Sequence, residues 1–315
     1  MSAFLNDVLL GLKKLNKTLP SRYFYDEIGD ALFIEIMNMP EYYLTRAEMD
    51  IFKNKTAQLV QAMGFEKDQE FELIELGAGD GSKTEHLLRY LVNHNYRFTY
   101  KPVDISSHSL NDLQTRLAHQ LPALKMEPLC GDYFRMLQSV TGNSTPKVVL
   151  FLGSNIGNMA DEVASDFLLN LSNELMPKDQ LILGVDLIKP KEVVLPAYHD
   201  KGGITAAFNL NLLTRINTEL GANFEGNQFM HFAEYEESEG ISKSFLKSLK
   251  KQSIVFPETG DVIAFEEGEL IHTEISRKYS DKILMNILEK TPWRIKNKLQ
   301  DTGKLFADYV LIKEG

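Results

Sequence analysis

The feature that most constrains the fold is a regular alternation of short apolar runs and amphipathic segments from residue 71 onward. The apolar runs have the length of strands, and the segments between them repeat apolar residues three and four apart, as helices do. This pattern is typical of β-α-β units and a mostly parallel sheet. The predicted strands are 71–76, 97–103, 123–129, 148–152 and 180–185, and the predicted helices are 83–93, 107–118 and 161–174.

Two flanks do not follow this alternation, namely the first 45 or so residues and residues 189–276. The second flank has a helical stretch with Phe208, Leu213 and Ile216, and strand-like pieces at 227–234 and 261–274. Its basic run 243–251 has the spacing of an amphipathic helix with a solvated cationic face. We therefore expect the flanks to form one joint lobe.

The end of the chain predicts a hairpin that returns to the edge of the first sheet. Residues 294–313 read as two strands around the turn Asp301-Thr302-Gly303. The expected fold class is therefore α/β, a Rossmann-like sheet of residues 47–188 and 277–315 with a second, smaller α+β lobe of residues 1–46 and 189–276.

Composition excludes several classes of function. The net charge of −10 repels polyanions, so we expect no nucleic-acid partner. Cys130 is the only cysteine and the histidines are scattered, so no metal site is predicted. The N-terminal segment is interrupted by charges and is neither a signal peptide nor a membrane span. We expect a cytoplasmic monomer that does not bind membranes and acts on a small molecule.

A glycine-rich loop lies directly between a predicted strand and a predicted helix. Such a loop, with Gly77, Gly79 and Gly81, presents backbone N–H groups and a helix N-terminus to a ligand. The dinucleotide pattern requires its third glycine where Ser82 stands, which disfavours NAD and FAD. The loop therefore indicates another nucleotide-class ligand.

Acidic residues near the strand ends narrow the choice of ligand. Glu75 precedes the first glycine and suits the ammonium of a methionine tail, either directly or through water or backbone. Asp104 ends the next strand, where a ribose diol needs an acceptor. Asp132 suits the adenine amino group while Tyr133 packs on the base, although Asp132 alone also reads as a turn or helix-cap residue. Together with the loop, these residues predict S-adenosylmethionine.

The loop after the fourth strand, residues 151–158, is expected to face the reactive methyl group. The amide of Asn158 can accept from an amine and donate to a carboxylate, as holding an amino acid requires. The other interpretation of Asn158 is an N-cap for the following helix.

The sequence resembles the histidine-specific Nα-methyltransferases of ergothioneine biosynthesis and the related fungal tryptophan-derivative N-methyltransferases. The resemblance runs through nearly the whole chain and includes motifs outside the cofactor fold. Besides the glycine loop these motifs are RYFYD at 22–26, PEYYLTR at 40–46, GSNIGN at 153–158, GVDL at 184–187, AY at 197–198, TAAFN at 205–209 and TEIS at 273–276.

The resemblance implies methylation of the α-amino group of histidine, up to the trimethylated betaine hercynine. It implies catalytic roles for Asn158, Tyr42 and Tyr25. The implied substrate residues are Phe33, Tyr198, Gly153, Glu274 and Ser276, and the implied cofactor residues are Glu75, Gly77, Gly79, Lys83, Asp104, Asp132 and Tyr133.

Glu274 and Ser276 would hold the imidazole, whose one N–H and one bare nitrogen match a carboxylate and a hydroxyl. Viewed without the family, the two residues also read as alternate, solvent-facing positions of an edge strand. Ser244 departs from the family, which commonly has a methionine there, so a larger ring or a modified histidine would also fit. Two alternatives stay open: an enzyme for tryptophan or another aromatic amino acid, and a non-catalytic protein that binds S-adenosylmethionine or an amino acid.

Overall fold

The structure is a computed structural model that describes residues 2–140 and 143–315. The chain divides into two compact units. We call Leu44–Ile188 with Lys278–Gly315 the glycine-loop unit, and Met1–Tyr43 with Lys189–Arg277 the flank unit. The first boundary lies slightly before the expected position because a helix begins at Leu44.

The helices and strands are numbered in chain order. The helices are α1 (Ala3–Leu12), α2 (Glu27–Asn38), α3 (Leu44–Asn54), α4 (Thr56–Met63), α5 (Thr84–Asn93), α6 (Ser107–Gln120), α7 (Tyr133–Val140), α8 (Asp161–Asn173), α9 (Lys191–Tyr198), α10 (Ile204–Leu220) and α11 (Asp281–Leu288). The strands are β1 (Lys17–Thr18), β2 (Phe71–Leu76), β3 (Phe98–Asp104), β4 (Leu129–Cys130), β5 (Lys147–Phe151), β6 (Gln180–Asp186), β7 (Phe229–Glu236), β8 (Ile241–Ser248), β9 (Gln252–Phe256), β10 (Asp261–Phe265), β11 (Leu270–Arg277), β12 (Trp293–Gln300) and β13 (Phe306–Lys313).

The glycine-loop unit is built on one sheet in the order β12-β13-β6-β5-β2-β3-β4. The strands from β6 to β4 run parallel, and β2, β5 and β6 are buried at every position. Alternate residues of β2 pack into different apolar cores, Leu73 into one and Ile74 into the other. Burial on both faces explains the continuous apolar runs, and the predicted α/β class with a Rossmann-like sheet is confirmed.

The order of the strands determines where a ligand binds. From β2 the chain moves outward through β3 and β4, and then returns to the other side of β2 with β5. Ligands of open α/β sheets bind beyond the carboxyl ends of the strands at such a reversal. The glycine loop follows β2, and the loop at 153–158 follows β5.

The two outer parts of this sheet differ in how well they were predicted. The C-terminal hairpin is confirmed: β13 pairs with β6, β12 forms the edge, and the Asp301 carboxylate accepts N–H groups of its own turn. The strand predicted at 123–129 is much shorter, because only β4 and a single bridge between Tyr100 and Met126 form.

The flank unit has a four-stranded sheet in the order β1-β11-β8-β7 and a two-stranded sheet of β9 and β10. Apolar side chains of α1, α10 and both sheets form its core. The stretch around Phe208 is helical as predicted, in α10, and the piece at 227–234 corresponds to β7. The piece at 261–274 is two strands, β10 and β11, rather than one.

The amphipathic helix predicted at 243–251 is wrong, because these residues form most of strand β8 and the turn that follows it. Side chains alternate in burial along β8, with Ser242, Ser244 and Leu246 inward. Three of the four inward positions are serines, Ser248 being the third, so the strand lacks the apolar alternation that marks a half-buried strand. Within residues 2–140 and 143–315, no helix is both long and apolar enough to span a bilayer.

Candidate active site

The glycine loop adopts backbone angles that favour glycine. Gly77 and Gly79 have φ values of 71° and 53°. A Cβ on Gly77 would lie 2.6 Å from the hydroxyl of Tyr133, whereas a Cβ on Gly79 would meet no heavy atom within 4 Å. Gly77 thus permits the approach of Tyr133, and the backbone at Gly79 faces open space in which a ligand can lie.

Asp104 connects the end of β3 to the glycine loop. Its Oδ2 accepts the N–H of Gly79 at 3.1 Å, and its Oδ1 accepts the N–H of Ser106 at 2.9 Å. The next residue, Ile105, is 80% exposed, which is unusual for a large apolar side chain at a strand end. Ile105 was not among the predicted site residues, although its position directly after a strand-ending acid was a usable signal.

Asp132 acts as a helix cap in this structure. Its Oδ1 accepts the N–H groups of Phe134 and Arg135 at the start of α7. Tyr133 is partly buried, and its ring lies edge-on to Phe151 at 6.2 Å. Burial raises the pKa of the Tyr133 hydroxyl, so the group remains a hydrogen-bond donor at neutral pH.

Glu75 faces the interior rather than the loop surface. Its carboxylate is 3% exposed and accepts hydrogen bonds from Thr84 and Tyr100. Burial raises the pKa of Glu75 to about 7, although these hydrogen bonds oppose the rise. Lys83 forms an ion pair with Glu48. Burial lowers the pKa of Lys83, but Glu48 outweighs this effect and leaves the pKa raised overall.

The loop after β5 begins with two residues in the left-handed region, Gly153 with φ 74° and Ser154 with φ 57°. A 3-10 turn, Asn155–Asn158, follows and leaves the side chain of Asn158 exposed. Helix α8 has Ala160 at its N-cap, so the alternative that Asn158 caps this helix is wrong.

The side chain of Asn155 lies between the two loops of this unit. Its amide is 4.0 Å from the position of a Cβ on Gly77 and 3.7 Å from that of a Cβ on Gly153. Asn155 was not among the predicted site residues. Its contact with both loops depends on the order of the strands in the sheet, which the local sequence pattern does not reveal.

In the flank unit, three of the predicted substrate residues form an aromatic cluster. The ring of Phe33 lies 5.6 Å from Tyr25 and 6.4 Å from Tyr42, edge-on in both pairs. Phe208 of α10 completes the cluster, 5.9 Å from both Phe33 and Tyr25. Phe208 was missed as a site residue, although it belongs to the TAAFN motif.

The remaining predicted substrate residues of this unit lie on or beside β11. The Tyr198 and Ser276 hydroxyls are 2.8 Å apart and buried. Glu274 is half-buried and pairs directly with Ser244 on β8. β1 pairs only with Ile271 and His272, so Glu274 and Ser276 pair with β8 alone among the described strands. Ser276 is nevertheless 7% exposed, so the alternative that both residues face solvent is wrong for Ser276.

A bulge shapes β11 just before Glu274. The register with β8 shifts between His272 and Glu274. The hydroxyl of Thr273 lies 2.8 Å from Oδ1 of Asn209 and 3.0 Å from the carbonyl oxygen of Ser244. Helix α10 therefore places Phe208 in the aromatic cluster and the adjacent Asn209 against the bulge.

Comparison with known proteins identifies the family. A model of the histidine-specific, SAM-dependent methyltransferases matches residues 4–313. The chain belongs to this family.

Three relatives illustrate the match. The histidine N-alpha-methyltransferases of Mycobacterium tuberculosis and Mycolicibacterium smegmatis are 34% and 33% identical to this chain over 277 residues, covering 88% of it and 84% of each relative. The ergothioneine biosynthesis protein 1 of Schizosaccharomyces pombe is 30% identical over 94% of this chain, which matches 39% of that longer protein. The resemblance drawn from the motifs is confirmed.

Like its family, this histidine-specific methyltransferase homologue uses S-adenosylmethionine. The glycine-loop unit fits this cofactor, since the backbone at Gly79 is open and Asp104 lies beside it. Among the residues that the structure describes, no group of three or more His, Cys, Asp or Glu side chains could hold a metal ion.

Proposed function

We propose that this protein transfers methyl groups from S-adenosylmethionine to the α-amino nitrogen of L-histidine until the nitrogen carries three, forming hercynine for ergothioneine biosynthesis. Relatives named for histidine Nα-methylation and for ergothioneine biosynthesis support histidine as the substrate. The observation that carries the proposal is the pairing on β11 of a carboxylate, Glu274, with a hydroxyl, Ser276, that Tyr198 holds in place. This pair matches the acceptor and donor needs of a neutral imidazole.

In this proposal the glycine-loop unit binds the cofactor, which supplies an electrophilic methyl group on a sulfonium when bound. Asp104 accepts from the ribose diol, Asp132 and Tyr133 contact the adenine, and Gly77 and Gly79 let the backbone approach. Lys83 provides a cation for the carboxylate of the methionine tail. The two hydrogen bonds that Glu75 accepts favour an indirect contact with the ammonium, through backbone or water.

Asn158, Tyr25 and Tyr42 orient the amino acid. The reaction needs a neutral amine about 3 to 3.5 Å from the methyl carbon, so positioning supplies much of the rate. The Asn158 amide accepts from the amine and donates to the carboxylate, and the two tyrosines orient the amine as its proton passes to water. Phe33 and Gly153 complete the residues proposed around the substrate.

Selectivity follows from the polar groups on β11. A site built to hydrogen-bond a ring rejects analogues without the matching groups by roughly 10⁴ to 10⁵, because its own polar atoms would be left unpaired. Leucine and phenylalanine should therefore be poor substrates, since neither offers a nitrogen to Glu274 or Ser276.

A second candidate is tryptophan, although the relatives named above favour histidine. Ser244 lies opposite Glu274 with 1% of its surface exposed, and it is smaller than the methionine common in the family. A smaller wall would leave room for a ring larger than imidazole, such as indole.

The test is incubation of the purified protein with labelled S-adenosylmethionine and each of the twenty amino acids, followed by mass spectrometry of the products. The proposal expects label in histidine with the highest kcat/KM. Preferential labelling of tryptophan would establish the second candidate. A calorimetric binding signal without any methyl transfer would show instead a non-catalytic protein that binds S-adenosylmethionine or an amino acid.

A further inference from the structure

A buried carboxylate with no role in the proposed function lies beneath both loops of the glycine-loop unit. Glu48 is on α3 and has no exposed surface. Its Oε2 forms an ion pair with Lys83, and the N–H of Gly153 donates to Oε1 at 2.8 Å and to Oε2 at 3.0 Å. One carboxylate therefore holds both the residue that precedes α5 and the residue that begins the loop after β5.

A second carboxyl group lies beside the first one. Asp308 of β13 is fully buried and pairs with Gly184 of β6, and its two carboxyl oxygens have no hydrogen-bond partner among the described residues. A Cβ on Gly184 would lie 2.3 Å from Oε1 of Glu48 and 3.1 Å from Oδ1 of Asp308. The glycine at position 184 thus leaves the room that the two carboxyl groups occupy.

The two groups differ in their partners, and this difference assigns the charge. Glu48 has a lysine and a backbone N–H, which stabilise a carboxylate. Burial, together with repulsion from Glu48, raises the pKa of Asp308 well above its usual range. The lysine and the backbone N–H therefore favour the negative charge beside them, on Glu48 rather than on Asp308.

The loop that Glu48 holds is strained. Ser154 is a non-glycine residue in the left-handed region, a conformation that persists only when its surroundings fix it. Two hydrogen bonds fix it here, one from Gly153 to Glu48 and one from the N–H of Asp186 to the Ser154 hydroxyl at 3.0 Å. Asn158 ends the same turn, so its position depends on these contacts.

We propose that Glu48 is a positioning residue for methyl transfer, because its buried carboxylate fixes Lys83 and the Gly153 loop together and so keeps Asn158 aligned with the cofactor residues. The inference rests on the proposed function of Lys83 and Asn158. It assigns Glu48 no contact with substrate or cofactor.

The test compares Glu48→Gln with two matched variants of buried carboxyl groups. Glu72→Gln removes a carboxylate paired with Lys101 at 2.9 Å near the start of β2, away from both loops, and controls for the loss of a buried ion pair. Asp308→Asn removes the neighbouring carboxyl group, whose oxygens have no hydrogen-bond partner among the described residues, and leaves the contacts of Glu48 in place. The measurements are kcat and KM for the amino acid, calorimetric binding of S-adenosylhomocysteine, and thermal unfolding.

We expect Glu48→Gln to lower kcat by about 100-fold, as a misplacement of about 1 Å does, and to weaken S-adenosylhomocysteine binding by about tenfold. Glu72→Gln should lose similar stability but keep kcat and binding within about twofold, and Asp308→Asn should do the same for kcat and binding. The proposal is overturned if Glu48→Gln matches Glu72→Gln in every measurement, or if Asp308→Asn is as damaging as Glu48→Gln.

A second pair of variants covers the case in which Glu48→Gln does not fold. Lys83→Met alone leaves Glu48 to hold Gly153, whereas Lys83→Met with Glu48→Gln removes both charges. A further drop in kcat of at least about fivefold in the double variant supports the loop contact, and equal kcat values contradict it. Binding of S-adenosylhomocysteine does not depend on the acceptor, so a wrong histidine assignment would leave that result intact.

Discussion

The candidate site residues of the two units lie at different positions relative to the strands. In the glycine-loop unit these residues lie in loops beyond the ends of parallel strands, as Gly79, Asp104 and Asn158 do. In the flank unit Glu274 and Ser276 lie within strand β11 itself, and Ser276 is 7% exposed. Substitution of the loop residues should therefore cost little stability, whereas substitution of buried residues on β11 should disturb packing as well as the proposed selectivity.

The largest expected effect comes from the loop after β5. Asn158→Ala should lower kcat by about 100-fold, because the amine loses its alignment, while S-adenosylhomocysteine binding changes little. Steady-state kinetics and calorimetry measure the two quantities, and Asn93→Ala at the end of α5 is the matched control. Unaltered methylation by Asn158→Ala would remove this residue from the mechanism.

Asp104→Ala should weaken S-adenosylhomocysteine binding by about tenfold to 100-fold, the usual loss for a hydrogen bond to a charged group. The ratio of histidine to tryptophan turnover should stay constant, because this ratio depends on the flank unit. Asp112→Ala, on the exposed face of α6, is the control. A changed ratio in Asp104→Ala would contradict the proposal that the glycine-loop unit binds the cofactor and the flank unit selects the amino acid.

Glu274→Ala should act in the opposite way. Histidine loses the charged acceptor of its imidazole N–H, whereas tryptophan loses less binding free energy. The preference for histidine over tryptophan should therefore fall by about tenfold, and cofactor binding should not change. Competition assays with both amino acids measure the ratio, and Glu234→Ala on the exposed side of β7 is the comparison variant. An unchanged ratio would count against Glu274 as the imidazole partner.

The smallest expected effect is on stability and concerns His231, a buried residue of β7 in the flank unit. Burial, with a smaller contribution from His199, lowers the pKa of His231 to about 4. The unfolded chain binds this proton more readily, so the stabilisation is complete above about pH 6.5 and is lost as the pH falls toward 4.

Urea unfolding at pH 7 and pH 5.5 tests this prediction. The wild type should lose about 1 kcal/mol more than His231→Leu over this interval. His108→Gln, which changes an exposed side chain of α6, should keep the wild-type dependence. Equal pH dependence in the wild type and His231→Leu would show that His231 does not titrate as its burial requires.

The sequence predicted the glycine-loop unit better than the flank unit for a physical reason. Strands buried on both faces are mostly apolar, so β2, β5 and β6 stand out even though β2 contains Glu72 and Glu75, and the glycines between β2 and α5 mark the ligand loop. In β8 the inward serines conceal the strand. The contact of Glu48 with Gly153 joins residues far apart in sequence, and no local pattern contains it.

The candidate residues divide in the same way. Asp104 and Asn158 follow from strand ends and chemistry alone, whereas Glu274 and Ser276 required the family resemblance, because a bulge and the packing around β11 decide their exposure. Phe208 and Asn155 were missed, since their contacts arise only when helix α10 or the loops are placed in three dimensions.

The position of the transferred methyl group tests the central claim most directly. The protein is incubated with histidine and S-adenosylmethionine carrying a ¹³C-labelled methyl group, and NMR of the product locates the label. The account predicts label only on the α-nitrogen, ending in the trimethylated product. Label on an imidazole nitrogen, or none in histidine while another amino acid is methylated, would contradict it.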